Sequence, residues 1–285
     1  MCIRDRVTTV SSDRTKGLKM AISKDAVQLS DNNPSSGEGI ENVKFFTSDS
    51  IWDIREQPKN LLVLGGGPVG SELAQAFARL GCNVTQIERN QRLLSKEDPE
   101  ISQIILESFQ NDGVKVLVGH TPKRFFKRDG KDFLECQANG VSVEVEFDTL
   151  LVALGRKANI TGFGMEELGV ELTLEKTIKV DEYMETNIPN IYACGDVAGP
   201  YQFTHTAAHQ AWYCAINSML RPFYGFKVDY STVPWSTFTD PEVARSGLNE
   251  MEAREQGIPY EVTTYRIEGL DRAITEEAAR GIVKV

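Results

Sequence analysis

The three glycines of Gly65-Gly66-Gly67-Pro68-Val69-Gly70 that follow a Gly-x-Gly-x-x-Gly pattern have the spacing that lets a chain wrap a pyrophosphate. A tight loop alone can also collect glycines, so the flanking residues matter. Leu61-Leu62-Val63-Leu64 precedes the loop as a strand buried on both faces, and Leu73, Ala76, Phe77 and Leu80 follow at helical spacing until Gly81 stops the helix. In that setting Gly65 permits the turn out of the strand, Gly67 admits a phosphate against the backbone, and Gly70 lets helix and strand pack closely. The N–H groups of residues 68 to 72, Ser71 among them, then face an anion with the helix dipole behind them.

Glu88 lies 18 residues after Gly70 (88 minus 70), at the end of the next strand, where a carboxylate can accept from both hydroxyls of a ribose. A 2′-phosphate would meet it with like charge, so NADH is expected rather than NADPH. Arg89 and Arg92 oppose that preference if either turns toward a phosphate, although exposed arginines after a strand are commonly just solvated. Glu72, placed in the first helical turn, needs no role beyond a favourable interaction with the helix N-terminus. Asp196 supports two readings: part of a Gly-Asp turn, or a ligand-binding carboxylate at the C-terminal end of the short strand 190–194. His205 and His209 share a helix face without a third ligand, which suits ordinary helix contacts, and Cys194 suits a small core residue.

Holding these residues requires a parallel βαβ unit with a right-handed crossover, its second strand at Val84–Ile87. A further helix is expected from Asp98-Pro99-Glu100 to just before Asn111-Asp112-Gly113, then a strand at Val114–Val118. The pairs Asp129-Gly130 and Asn139-Gly140 divide residues 125 to 147 into a β-meander, and Thr149–Leu154 is another buried strand, closing on Gly155-Arg156. A helix over Thr204–Leu220, a linker at 221–225, a helical stretch near Glu250–Gln256 and a last strand at Gly281–Val285 follow. A chain stopping inside that strand would leave an open sheet edge, so the natural protein is expected to continue. Residues 7 to 36 are polar, turn-rich over 30–37, and Met1–Arg6 has no assigned role.

With 41 acidic and 31 basic residues the net charge is −10, which disfavours nucleic acid and anionic membranes as partners. The five cysteines are far apart, with no Cys-x-x-Cys and no histidine cluster, so no metal site is expected. Their odd number without a secretory signal fits the cytoplasm, and no apolar run reaches bilayer length.

Over residues 38 to 285 the chain resembles the pyridine nucleotide-disulfide oxidoreductases, with the mercuric reductase and dihydrolipoyl dehydrogenase branches most similar. The resemblance rests on Thr47-Ser48-Asp49, Gly65 to Glu72, Gly155-Arg156-Lys157-Ala158-Asn159, Thr186 through Asp196, and Pro234 through Glu242. It implies an α/β fold: a Rossmann-like NAD domain (58–157) inserted in a partial FAD domain (1–57 and 158–229), followed by the start of an α+β dimerisation domain (230–285). It also implies that Gly155 joins the NAD site, that Asp196 holds the flavin ribityl chain, and that Gln202, Phe203, Thr204 and His205 lie against the flavin ring. Glu72 then contacts the nicotinamide end and pairs with a lysine near the flavin. The implied cofactors are FAD and NAD(H), the implied acceptor is a disulfide, a metal ion or another small molecule, and the intact protein is a homodimer.

Nothing in the 285 residues matches the family's first glycine loop, its redox-active cysteine pair or its histidine–glutamate pair. The Ala-Thr-Gly segment expected before Pro34 is absent too, with Met20-Ala21-Ile22-Ser23-Lys24 near its place. The chain is therefore expected to be an incomplete, catalytically deficient piece with a non-native start and no catalytic residue of its own. The rival expectation is a nucleotide-binding or regulatory module without redox chemistry.

Overall fold

The computed structural model describes residues 8–13, 17–21, 37–221 and 223–285. Met1–Arg6, Ile22–Lys24 and the turn-rich residues 30–36, about which expectations were set out above, lie outside these. The chain forms two compact units, one joining Met1–Leu29 to Arg156–Val233 and the other joining Ser30–Gly155 to Pro234–Val285.

In the first unit β1 (Thr8–Asp13) and β2 (Gly17–Ala21) pair antiparallel. The polar stretch 7–36 carries no strand pattern, and the pairing here is through main-chain groups, which need none.

The second unit is built on a five-stranded parallel sheet. Its strands are β3 (Phe45–Phe46), β4 (Asn60–Leu64), β5 (Asn83–Glu88), β6 (Lys115–Val118) and, after a three-stranded meander, β10 (Thr149–Val152). Their spatial order is β3-β10-β4-β5-β6. Helix α1 (Pro68–Arg79) links β4 to β5 and α2 (Pro99–Asn111) links β5 to β6, each with proline at its start, where the missing N–H costs nothing. Both cover one face of the sheet: Leu73 and Ala74 of α1 and Ile105 and Phe109 of α2 share a core with Leu61, Val63, Val84 and Leu151. Phe109 is completely buried, and such a side chain contributes about 1.5–3 kcal/mol. Leu62, Leu64 and Leu150 point the other way and are buried as well, as the unbroken apolar runs require.

The meander strands are β7 (Thr121–Arg128), β8 (Lys131–Ala138) and β9 (Val141–Phe147). Its two turns carry left-handed pairs, Asp129 and Gly130 (φ 53° and 75°) and Asn139 and Gly140 (φ 50° and 80°), the twist a two-residue hairpin needs. β7 begins at Thr121, earlier than the sequence pattern starting at 125 suggests.

In the first unit β11 (Ile191–Cys194) pairs antiparallel with β1, Thr8 opposite Cys194, and α3 (Thr204–Leu220) packs behind it through Cys214. Buried Asn217 fixes the linker after α3 by donating to Tyr183 O and Phe226 O, each at 2.9 Å, and accepting from Phe226 N at 2.8 Å.

The second unit ends with β12 (Pro234–Thr237), β13 (Val243–Ser246), α4 (Glu250–Glu255), β14 (Thr264–Arg266), α5 (Asp271–Thr275) and β15 (Ile282–Lys284). β12 pairs with β13 and β14 with β15, both antiparallel. α4 starts with a capping box between Asn249 and Glu252. Among the described residues no helix is long and apolar enough to cross a membrane.

Lys284 fastens β15 to the start of α2. Its Nζ lies 2.8 Å from Asp98 and 2.5 Å from Glu250, and also bonds Glu100, three carboxylates within 4.8 Å of one another. Burial works against the charged ammonium, yet the bonds to Asp98, Glu100 and Glu250 outweigh it and hold its pKa above the ordinary lysine value. Glu250 is held below the ordinary carboxylate range, chiefly by Lys284 and then Tyr260. The lysine contribution is therefore lost as pH rises through its raised pKa, and the Glu250 contribution as pH falls through its lowered one. Lys284→Met is expected to destabilise the second unit by about 1–2 kcal/mol at neutral pH in urea denaturation, with the difference from wild type shrinking below about pH 4.

Candidate functional site

At the C-terminal end of β4 the chain turns at Gly65 (φ 111°), whose N–H donates to Ile87 O at 2.8 Å. A Cβ on Gly65 would lie 2.3 Å from Ala153 O, and one on Gly70 would lie 2.2 Å from Gly65 O, so β10, the turn and α1 meet backbone to backbone. Gly66 is constrained as well, since a Cβ there would meet Leu93 and Glu88 side chains at 2.8 and 2.9 Å. Gly67 differs: its φ of −79° suits any residue and nothing lies within 4 Å of its would-be Cβ. Among the described residues no atom occupies the place of a side chain there, which leaves the backbone open to approach from outside. Gly155, just after β10, also has open space at its would-be Cβ, but its φ of 124° is by itself a reason for glycine.

Two of the expectations for α1 change. Pro68 has no N–H, and the Ser71 N–H already donates to Gly67 O at 3.0 Å, so the donors offered by the first turn are those of Val69 and Gly70 rather than all of 68 to 72. Because α1 starts at Pro68, Glu72 lies beyond its first turn. Its carboxylate accepts from Phe238 N at 2.9 Å rather than serving the helix N-terminus.

Glu88 ends β5 beside the loop. One carboxylate oxygen accepts from Gly66 N and the other from Asn90 N, both at 2.6 Å, which orients the group and leaves each oxygen a further lone pair. The segment after it folds back, with Leu94 N donating to Gly66 O at 2.7 Å while Leu94 itself is left-handed (φ 46°), a conformation costing a non-glycine residue roughly 1–2 kcal/mol. Buried Gln86, which no sequence motif marks, donates to Gly65 O at 2.9 Å and to Ser71 Oγ at 3.3 Å. Its sequence signal is a polar residue inside a buried strand, two positions before Glu88 and therefore on the same face.

The first unit contains the second cluster. Asp196 is buried at the end of β11, and the Arg156 guanidinium stands 3.7 Å from its Oδ2 while donating to Gln202 O at 2.7 Å. Arg156 thus brings together Asp196 and Gln202, two residues for which the resemblance implies flavin contacts. Phe203 and His205 stack at 5.4 Å, and Thr204 and His205 are exposed at the start of α3. Fully buried Gln210, likewise unmarked by any motif, accepts from Gly195 N at 2.6 Å and donates to Gly199 O at 2.6 Å and Tyr230 Oη at 2.8 Å. His209 is engaged by Asp229 O at 3.0 Å and by the Tyr213 ring. Buried Cys194 and Cys214 share a hydrogen bond that, together with burial, pushes the Cys214 thiol pKa up, as in an apolar core.

Residues 27–211 match the family described as pyridine nucleotide-disulphide oxidoreductase, and residues 233–285 match its dimerisation domain. The mercuric reductase of Streptomyces lividans is 36% identical over 249 residues, 87% of this chain and 52% of that protein. The dihydrolipoyl dehydrogenase of Bacillus subtilis is 34% identical over 253 residues, 88% of this chain and 53% of that protein. Among solved structures, the HOCl-induced flavoprotein disulfide reductase RclA from Escherichia coli superimposes with a TM-score of 0.78 at 26% identity, covering 94% of this chain and 61% of that one. The chain spans about half the length of the curated relatives it matches.

The glycines separate into two kinds that thermal denaturation can distinguish. Gly70→Ala is expected to cost at least about 2 kcal/mol, because main chain must move. Gly67→Ala should stay within about 0.5 kcal/mol of wild type.

Proposed function

The chain belongs to the pyridine nucleotide-disulphide oxidoreductase family, and from that premise we propose that it supplies the dinucleotide site of an FAD-dependent oxidoreductase that takes hydride from NADH. The open cradle at Gly67 carries this proposal, since it is a space the protein itself does not use. The pyrophosphate docks there against the Val69 and Gly70 N–H groups, and the α1 dipole offsets the unfavourable field of an acidic protein. Glu88 takes the adenosine-side ribose through its remaining lone pairs, Gly155 borders the site, and Glu72 serves the nicotinamide end. A carboxylate at Glu88 repels a 2′-phosphate, and the Arg92 guanidinium is turned to Ser95 O at 3.2 Å, which supports NADH over NADPH.

The residues of the first unit fit a flavin. Buried Asp196 would hold the ribityl hydroxyls, and the start of α3, from Gln202 to His205, would lie against the ring, its dipole favouring negative charge. Bound FAD supplies the two-electron relay from nicotinamide to acceptor. The acceptor class is a disulfide, a metal ion or another small molecule, in keeping with relatives named mercuric reductase and dihydrolipoyl dehydrogenase. The match of 233–285 to a dimerisation domain supports a homodimer, and the buried free thiols of Cys82, Cys136, Cys194 and Cys214 support a reducing, cytoplasmic setting. We assign 58–157 to the NAD domain, 1–57 and 158–229 to the FAD domain, and 230–285 to the dimerisation domain.

The second reading, a nucleotide-binding or regulatory module without redox chemistry, draws on those same thiols, because among the described residues no cysteine is exposed. Anaerobic addition of NADH to protein held with excess FAD separates the two: bleaching of flavin absorbance supports the oxidoreductase, and an unchanged spectrum with both FAD and NADH bound supports the module. NADH titration should show Gly67→Ala weakening binding about tenfold or more, and Glu88→Gln narrowing the preference for NADH over NADPH by about tenfold. The 285 residues alone are expected to hold FAD poorly and to leave lipoamide and glutathione disulfide unreduced.

A further inference from the structure

We propose that Arg245 and Trp235 are positioning residues for the ribose carboxylate Glu88, acting through Glu97 and the loop that follows β5; this rests on the dinucleotide site proposed above. Residues 89–98 connect the strand carrying Glu88 to α2. At the near end of this loop, Asn90 N donates to one oxygen of Glu88 at 2.6 Å, Asn90 Nδ2 donates to Ser95 Oγ at 3.3 Å, and Leu94 N donates to Gly66 O at 2.7 Å. The orientation of Glu88 therefore depends on where this loop lies.

The far end is not held by its neighbours in sequence. Glu97, only 7% exposed, accepts from Trp235 Nε1 at 3.1 Å and faces Arg245 Nε at 3.3 Å. The Arg245 guanidinium lies 4.2 Å from the centre of the Trp235 ring and forks onto both oxygens of Glu252, at 2.8 and 3.0 Å. Asn249, the cap of α4, donates to Lys96 O at 2.8 Å. A buried carboxylate deprived of its cation must move toward water or take up a proton, and either change displaces the chain that carries it. From Glu97 the path is short: Glu97 N bonds Leu94 O at 2.8 Å, and Leu94 bonds Gly66. The β12–β13 hairpin and α4, more than a hundred residues away in sequence, thus set the geometry of the nucleotide loop.

The test uses the whole 285-residue chain with Arg245→Lys, which cannot reproduce the fork, and Trp235→Phe, which removes one N–H and keeps a ring beneath the guanidinium. Each is made alone and together with Glu88→Gln, NADH affinity is titrated through nucleotide fluorescence, and hydrogen exchange of the 89–97 amides is followed without nucleotide. Each single variant is expected to weaken NADH binding about threefold or more, the loss shrinking to less than about 1.5-fold in the Glu88→Gln background, because residues acting through one group are not additive. The Asn90 and Leu94 amides should exchange faster in both variants. Equal losses in the two backgrounds, or unchanged exchange over 89–97, would overturn the proposal. A chain that binds no NADH in any form but shows the faster exchange would sink the dinucleotide function and leave the link from Arg245 to the Glu88 loop standing.

Discussion

At the exit of β4 the main chain passes over itself: the carbonyl of Gly65 occupies the space that any side chain on Gly70 would need, and the carbonyl of Ala153 does the same to Gly65. Only a backbone stripped of Cβ atoms at these points lets α1 start directly beyond the C-terminal end of β4. The direction of α1 follows, and with it the outward aim of the Val69 and Gly70 N–H groups and the opening at Gly67. On a chain with net charge −10, that local concentration of N–H dipoles is the feature on which the proposed pyrophosphate site depends.

Such a turn leaves polar main-chain atoms to be satisfied out of reach of water, and both units solve this with a glutamine. Gln86 reaches up from β5 to Gly65 O, and Gln210 reaches across from α3 to Gly195 N and Gly199 O. A carboxamide carries a donor and an acceptor on one planar group; Gln210 uses both on main chain, whereas Gln86 uses its donor. A third case is Gln75, which exchanges hydrogen bonds with Asp240 N at 2.7 Å and Asp240 O at 2.9 Å, as a neighbouring strand would. With Glu72 on Phe238 N and Arg79 on Asp240, one face of α1 is given over to gripping residues 238–240.

The glycine loop is thus held on two sides. Beneath it Gln86 acts within the sheet, and beside it Glu88 and the loop to α2 are fixed by residues of β12, β13 and α4. Ion pairs occur in both settings: Arg245 and Glu97 are both close to fully buried, whereas the pairs along the meander, such as Arg128–Glu144, are open to water and contribute little.

The sequence by itself determined the parallel βαβ frame, the bounds of α3, both meander turns, and the structural parts played by Gly65 and Gly70, because each depends on residues within about thirty positions of one another and leaves a periodicity or a turn pair behind. It also identified Glu88 and Asp196 as carboxylates at strand ends. Tertiary structure alone decided that Gly66 is sterically required, that Glu72 bonds Phe238, that Arg156 joins Asp196 to Gln202, and that β1 and β2 exist at all. It decided the roles of Gln86, Gln210, Glu97 and Arg245 too. These depend on pairings between main-chain atoms or single polar groups far apart in sequence, which leave no local pattern, since a buried hydrogen bond constrains a position in space rather than a spacing along the chain.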